Sequence, residues 1–147
     1  KLLNDFTERF NDIAKYKARV TRLASQQSPT PFVETVFGRR RYIPDLKSTD
    51  KGLRSRADRQ AFNTVIQGSA ADLMKLAIVR AHSCFIDEPD VNVVLTVHDE
   101  LVTVAREDLA EETAEAIRLS MEGIHLPEIT VPLIADVKIV DKWGEAK

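Results

Sequence analysis

The strongest constraint on the fold is a pair of β-type runs with almost nothing between them. Val91–Val97 is followed at once by Leu101–Ala105, and only His98, Asp99 and Glu100 separate the two. Both runs are dominated by Val, Leu and Thr, and no Gly, Pro or Asn lies between them. Branched residues of this kind favour extended backbone. The sequence therefore predicts a tight hairpin whose tip presents a His and two adjacent carboxylates.

The two carboxylates at this tip are candidate metal ligands. Mg²⁺ is a hard cation that takes oxygen ligands and keeps several waters. Side chains alternate between the faces of a strand, so Asp99 and Glu100 should diverge unless the turn redirects one of them. By itself, a His-Asp-Glu string in a turn is more often solvated surface. The metal hypothesis therefore depends on a helical segment upstream.

That segment carries a stripe of hydrogen-bond donors. Arg59, Asn63 and Gln67 recur at i, i+4 and i+8, so they share one face of a predicted helix. All three side chains donate hydrogen bonds, and none is negatively charged. The minor groove of duplex DNA offers an acceptor at every base pair regardless of sequence. The stripe therefore suits correctly paired duplex, although an ordinary helix with a hydrated polar edge is the simpler alternative.

The rest of the segment predicts packing and phosphate contacts. A broad apolar face lies beside the stripe and comprises Phe62, Val65, Ile66, Leu73, Leu76 and Ala77. Gly68–Ala71 puts small residues in mid-helix, where Gly costs about 1 kcal/mol relative to Ala. Close approach of another backbone would explain that cost. Arg54, Arg56 and the run Arg39–Arg41 could hold phosphates near the stripe.

Charge is unevenly distributed along the chain. The 147 residues carry a net charge of −2. Residues 1–60 hold 14 basic and 7 acidic side chains, whereas residues 61–147 hold 7 basic and 16 acidic ones. This asymmetry indicates a phosphate-facing surface beside an acidic region.

Three blocks of the sequence resemble successive motifs of one enzyme family. Thr35–Pro44, Arg59–Asp72 and Val97–Leu101 are similar in order and spacing to motifs of family A DNA polymerases. That family includes bacterial DNA polymerase I and its phage and eukaryotic relatives. The related single-subunit RNA polymerases usually have Ser after the His-Asp pair, so Glu100 favours the DNA enzymes.

The resemblance implies a role for each matching residue. It identifies Asp99 as one of two palm aspartates that hold two Mg²⁺ ions in the complete site. Glu100 is implied as a neighbouring acidic residue of secondary role, and His98 as a histidine near the primer end. It implies contacts to primer-template DNA from Arg59, Asn63 and Gln67 through the minor groove, and more weakly from Arg54 to the backbone.

Two parts of the family pattern are missing from the sequence. The second catalytic aspartate lies in a block of Asp-Tyr/Phe-Ser type, which does not occur here. The helix that binds the incoming dNTP is absent too. The chain begins at Lys1, and its only Met residues are Met74 and Met121. We expect a carboxy-terminal piece of a longer polymerase that requires the upstream region as a partner and is inactive alone.

The predicted fold class is α+β, the carboxy-terminal part of a right-hand palm with an antiparallel sheet and flanking helices. Residues 1–55 are predicted to form a helix and an Arg-rich hairpin at the junction of fingers and palm, and residues 56–147 the palm portion. The predicted helices span about 2–24, 56–85 and 107–122. The predicted strands 32–37 and 40–43 form a hairpin around Gly38. A second hairpin, Val91–Ala105, carries His98, Asp99 and Glu100 and is called the motif hairpin. A last strand over Val131–Val140 is predicted to pair with the motif hairpin.

The chain has a single cysteine, Cys84. Cys84 is expected to be a buried thiol in a reducing intracellular compartment, and no membrane-spanning run is present. One alternative function is a non-catalytic duplex-DNA-binding module. The other is a helical protein-interaction domain whose Arg runs bind acidic partners.

Overall fold

The computed structural model describes residues 9–127 and 129–146. In these residues the α-helices are α1 Asn11–Ser25, α2 Lys51–Cys84 and α3 Ala110–Glu122. The strands are β1 Phe32–Glu34, β2 Arg40–Tyr42, β3 Val91–Val97 and β4 Glu100–Ala105. Short 3-10 turns span Pro44–Lys47, Glu107–Leu109 and Trp143–Glu145. The chain forms two compact units, Lys1–Ser69 and Ala70–Lys147.

The first unit is built from α1, the β1–β2 hairpin and the first half of α2. The hairpin is antiparallel, with Phe32 opposite Tyr42. Its turn contains Gly38 at φ +78°, a conformation that Gly adopts without the steric cost other residues incur. The core of the unit consists of Ala24, Val33, Ile43, Leu46, Ala57 and Ala61. The predicted hairpin is confirmed, with strands shorter than expected. The first residues of the predicted amino-terminal helix lie outside the described residues.

Helix α2 buries only part of the apolar face that the sequence predicts, since Ala77 is buried and Val65 packs against the core. Ile66 and Leu76, both assigned to the apolar face, are 52% and 41% exposed. The buried residues are mostly small, and they are Ala57, Ala61, Thr64, Ser69, Asp72, Ala77 and Ala81. Small side chains let neighbouring elements approach closely, so the helix packs through its small-residue face rather than through its largest side chains.

The close approach expected at the small-residue run is confirmed. The backbone N–H of Val36 donates to the Ser69 hydroxyl at 3.0 Å. The Arg39 guanidinium donates to the Gly68 carbonyl at 3.2 Å. A Cβ atom added at Gly68 would lie 2.9 Å from the Thr35 Cγ2 methyl. Gly68 is therefore the position at which the β1–β2 loop seats on α2.

Replacing Gly68 with Ala should lower the free energy of unfolding by about 1 kcal/mol. Overpacking against Thr35 costs about 1–3 kcal/mol, which outweighs the gain of about 1 kcal/mol in helix propensity. Thr35→Ser removes the clashing methyl and keeps the hydroxyl that accepts the Arg39 N–H at 3.2 Å. In that background Gly68→Ala should become neutral or stabilising in urea denaturation. An equal effect in both backgrounds would show that Thr35 is not the obstacle.

The second unit contains the end of α2, the β3–β4 hairpin, α3 and the carboxy-terminal segment. The buried apolar residues of this unit are Ala77, Ala81, Val91, Ile117 and Ile124. The Arg80 side chain donates to the carbonyl of Gly123, at the end of α3, at 2.7 Å. The predicted hairpin and the predicted helix ending at Glu122 are both confirmed.

The predicted last strand over Val131–Val140 is wrong. These residues form no strand, and β3 and β4 pair only with each other in the part of the chain that the structure describes. Pro132 has no N–H to donate. The N–H of Ala135 donates instead to the Glu122 carboxylate at 3.0 Å. The Glu122 side chain of α3 thus accepts a hydrogen bond from a backbone N–H that strand pairing would have used.

The predicted burial of Cys84 is also wrong, because its side chain is exposed. It is the last residue of α2 and lies beyond Ala81, the last buried residue of that helix. Its sulfur lies 3.7 Å from the Ser120 hydroxyl. None of the described helices has the length and apolar character that a membrane span needs.

Candidate duplex-binding surface and carboxylate turn

The donor stripe is exposed along α2. Arg59, Asn63 and Gln67 are all accessible to solvent. The Arg59 guanidinium donates to the Ser55 hydroxyl at 3.0 Å, one helical turn back. Asn63 and Gln67 use none of their side-chain donors within the described residues. These amides are therefore free to bind acceptors from outside the chain.

The arginine run splits between two faces, because successive strand residues point in opposite directions. Arg41 donates to the Thr64 hydroxyl of α2 at 3.2 Å, and Arg39 also contacts α2 through Gly68. Arg40 instead pairs with Glu34 at 2.7 Å. The hydrogen bond that Arg40 donates to the Glu34 carboxylate is the main reason that the pKa of Arg40 is raised above its ordinary value.

Two residues of the stripe, Asn63 and Gln67, share one cavity with two of these arginines. It has a volume of about 180 Å³ and is lined by Arg39, Arg41, Asn63, Thr64, Gln67 and Gly68. The sequence indicated the arginine run and the helical stripe as two separate features. The structure brings Arg39 and Arg41 together with Asn63 and Gln67. Arg54 is exposed near the start of α2 and does not line this cavity.

The β3–β4 turn consists of His98 and Asp99 alone. Val97 pairs with Glu100, which is the first residue of β4. His98 has φ +54°, the only positive φ at a non-Gly residue in the described part of the chain. A left-handed conformation at a non-Gly residue costs about 1–3 kcal/mol and is commonest at functional sites. The turn thus holds Asp99 in place at an energetic cost.

The carboxylates at this turn are available to a cation. Asp99 and Glu100 are exposed, and within the described residues neither makes a hydrogen bond or an ion pair. No three His, Cys, Asp or Glu side chains in the described ranges are grouped closely enough to hold a metal ion. Free carboxylate oxygens fit Mg²⁺, which binds through one or two carboxylates and keeps water or phosphate oxygens as its other ligands.

Asp99 also borders an apolar cavity of about 220 Å³ in the second unit. Leu73, Met74, Ala70 and Ala77 contribute one wall from α2. The opposite wall is formed by the end of α3 and the carboxy-terminal segment, through Met121, Ile124, Leu133, Ile134 and Ala135. The tip of the hairpin therefore has a defined position against the rest of its own unit.

An ion-pair cluster fixes the base of the same hairpin. Arg106, just after β4, pairs with Asp90 and with Asp108. The hydrogen bond from Arg106 lowers the pKa of Asp108 below its ordinary value, and it is the main cause of that shift. The Arg106–Asp108 pair is therefore complete at neutral pH and is lost as the pH falls through the lowered pKa of Asp108. These groups are exposed, so solvent and salt weaken the interaction.

Comparison with known proteins decides the family. The model of DNA polymerase family A matches residues 1–145. The chain belongs to DNA polymerase family A. The resemblance seen in the three sequence blocks is therefore confirmed.

Relatives of this family A chain cover almost all of it. The thermostable DNA polymerase I of Thermus aquaticus is 41% identical over 143 residues, which are 97% of this chain and 17% of the relative. DNA polymerase I of Pseudomonas aeruginosa is 38% identical over 98% of the chain and 15% of its own length. DNA polymerase theta of Drosophila melanogaster is 33% identical over 7% of its length. The chain thus spans a small part of each relative.

A solved structure has the same fold. It is the POL domain of Pol1 from M. smegmatis, in complex with DNA primer-template and dNTP. The TM-score is 0.80 at 32% sequence identity, and the match covers 89% of this chain and 22% of that one. The mixture of helices and small antiparallel hairpins described here therefore corresponds to one portion of a family A polymerase domain.

Proposed function

We propose that this family A chain supplies part of the active site of a DNA-directed DNA polymerase. The reaction would be template-directed transfer of a nucleotide to a primer 3′-hydroxyl. The observation that carries the proposal is the pair of exposed, unpaired carboxylates at the His98–Asp99 turn. The fold match to a polymerase domain bound to primer-template DNA and dNTP supports it.

Asp99 would be the catalytic carboxylate of this chain, and it would hold Mg²⁺ through its free oxygens. Glu100 would add negative charge beside it in a secondary role. Two bound ions would activate the primer hydroxyl and stabilise the leaving pyrophosphate. A single carboxylate at Asp99 cannot hold both of these ions. The upstream polymerase region would contribute the second aspartate and the dNTP-binding helix, and the chain by itself would be inactive.

The cavity-lining surface of the first unit would hold the primer-template duplex. Asn63 and Gln67 present free amide donors, and Arg59 extends the stripe along α2. Minor-groove acceptors are present at every correct base pair, so such contacts would grip paired DNA without reading its sequence. Arg39 and Arg41, beside the stripe, would contribute positive charge toward the phosphates.

Two further residues would assist in binding the DNA. His98 is exposed at the turn beside Asp99 and would lie near the primer end. Arg54 is exposed on the first turn of α2 and would contact the DNA backbone. Both would position the DNA rather than react with it.

Competition binding tests the duplex assignment. The chain should bind labelled primer-template duplex, and unlabelled duplex should compete more than about tenfold better than heparin or single-stranded DNA at the same charge concentration. Paired minor-groove acceptors are present only in the duplex. Equal competition by all three polyanions, together with insensitivity to Gln67→Ala, would instead favour a domain that binds acidic partners through its arginines.

A further inference from the structure

The motif hairpin contains one irregularity in its strand register. Val93 pairs with Thr103, but the next pair toward the tip is Leu95 with Val102. Val94 therefore has no partner across the hairpin, and β3 carries one extra residue. Such a β-bulge bends the strand that contains it and increases the local twist.

The bulge lies between the base and the tip of the hairpin. At the base, Val91 is buried and faces into the unit opposite Ala105. At the tip, Val97 pairs with Glu100 and leaves a turn of two residues. If the base register continued to the tip, Thr96 would pair with Glu100, and the loop would grow by one residue. The bulge therefore connects a fixed base to the short turn that carries Asp99.

We propose that the bulge at Val94 is a positioning device that aims the Asp99 carboxylate. The base is fixed by the Arg106 ion pairs and by burial of Val91. The tip lies against the cavity that Asp99 borders. A bend between these two anchors sets the direction in which the turn points. Val94 is 55% exposed, so it contributes through the backbone insertion rather than through side-chain burial. This inference rests on the proposed catalytic role of Asp99.

Deletion of Val94 isolates this effect. Every observed cross-strand pair and the two-residue turn can form without it, so the hairpin becomes regular and only the bend is lost. A second variant inserts a Val between Val102 and Thr103, which gives Val94 a partner and also removes the bulge. Val104→Ala is the matched control, because Val104 is 58% exposed on the same hairpin and lies outside the bulge.

The position of the tip can be measured without any activity. The chain has two methionines, Met74 and Met121, and both line the cavity that Asp99 borders. A nitroxide attached to Asp99→Cys in the full Cys84→Ser chain should broaden both ¹³C-labelled methionine methyl signals. Deletion of Val94, or the insertion opposite it, should change the broadening of the two signals relative to each other, whereas Val104→Ala should not. Equal broadening with and without the bulge would overturn the proposal, as would loss of folded methyl dispersion in both variants.

Kinetics separates this proposal from the proposed function. The assay uses the complemented chain, meaning this chain mixed with the upstream polymerase segment of the Thermus aquaticus relative. Deletion of Val94 should lower kcat about a hundredfold, the scale of a misplaced reacting group. KM for dNTP and duplex affinity should change less than about threefold, because neither depends on the direction of the turn. Unchanged kcat would overturn the positioning role. If Asp99→Asn retained activity, or if the unsubstituted complemented chain had none, the proposed function would be overturned instead. The nitroxide measurement would still decide whether the bulge sets the position of the tip.

Discussion

Replacing Asp99 with Asn should lower primer extension by the complemented chain on the order of a thousandfold. The amide keeps the size of the carboxylate but removes the charge that would hold the cation. Metal ions supply several kcal/mol of transition-state stabilisation, and each 1.36 kcal/mol is about tenfold in rate. The expected measurement is a single-turnover rate at saturating Mg²⁺ and dNTP.

Two comparisons make this result specific. Asp87→Asn is a matched control, since Asp87 is exposed in the connection between α2 and β3 and lies outside the turn. It should leave the rate unchanged. Glu100→Gln should cost less than about tenfold, because its proposed role is secondary and electrostatic. Duplex affinity should be unaltered in all three variants. A rate for Asp99→Asn within about threefold of the unsubstituted chain would remove Asp99 from the chemistry and leave a duplex-binding module.

Replacing Asn63 and Gln67 together with Ala should weaken duplex binding about 5- to 150-fold. Each amide contributes a hydrogen bond worth about 0.5–1.5 kcal/mol, and about 1.4 kcal/mol corresponds to a factor of ten in affinity. Fluorescence anisotropy with a labelled primer-template measures the change. Gln26→Ala is the control, because Gln26 is an exposed residue of the same type that follows α1.

A modified duplex tests whether these amides contact the minor groove. A purine whose N3 acceptor is replaced by carbon should weaken binding of the unsubstituted chain and have little further effect on the double variant. Such non-additivity arises when two changes remove the same interaction. Additive losses would mean that Asn63 and Gln67 act on the phosphates or on the fold instead.

The motif hairpin could be predicted from sequence because its determinants are local. Two short runs rich in Val, Leu and Thr, separated by three residues, indicate antiparallel pairing of neighbouring strands. The bulge at Val94 was not foreseen, since Val, Leu and Thr continue through it without a Gly to mark it. Register within a hairpin depends on how each half packs, and a single sequence does not reveal that.

The other failures have the same physical origin. Apolar character singled out Ile66 and Leu76, yet α2 packs through alanines, because close approach was worth more than large side chains at those positions. Val131–Val140 was predicted to be a strand, yet these residues do not pair with β3 or β4. In the described residues that segment is held by the Glu122 carboxylate. Residue types and their spacing predicted the stripe and the carboxylates. The position of Arg39 and Arg41 beside the stripe depends on packing between elements, which only the structure shows.

Mg²⁺-dependent primer extension by the chain alone and by the complemented chain tests the central claim most directly. The account predicts no extension by the chain alone and template-directed extension by the mixture, which Asp99→Ala abolishes. Extension by the chain alone would contradict the requirement for a second aspartate from the upstream region. No extension by the mixture, with duplex still bound, would contradict the catalytic role and assign the chain to duplex binding.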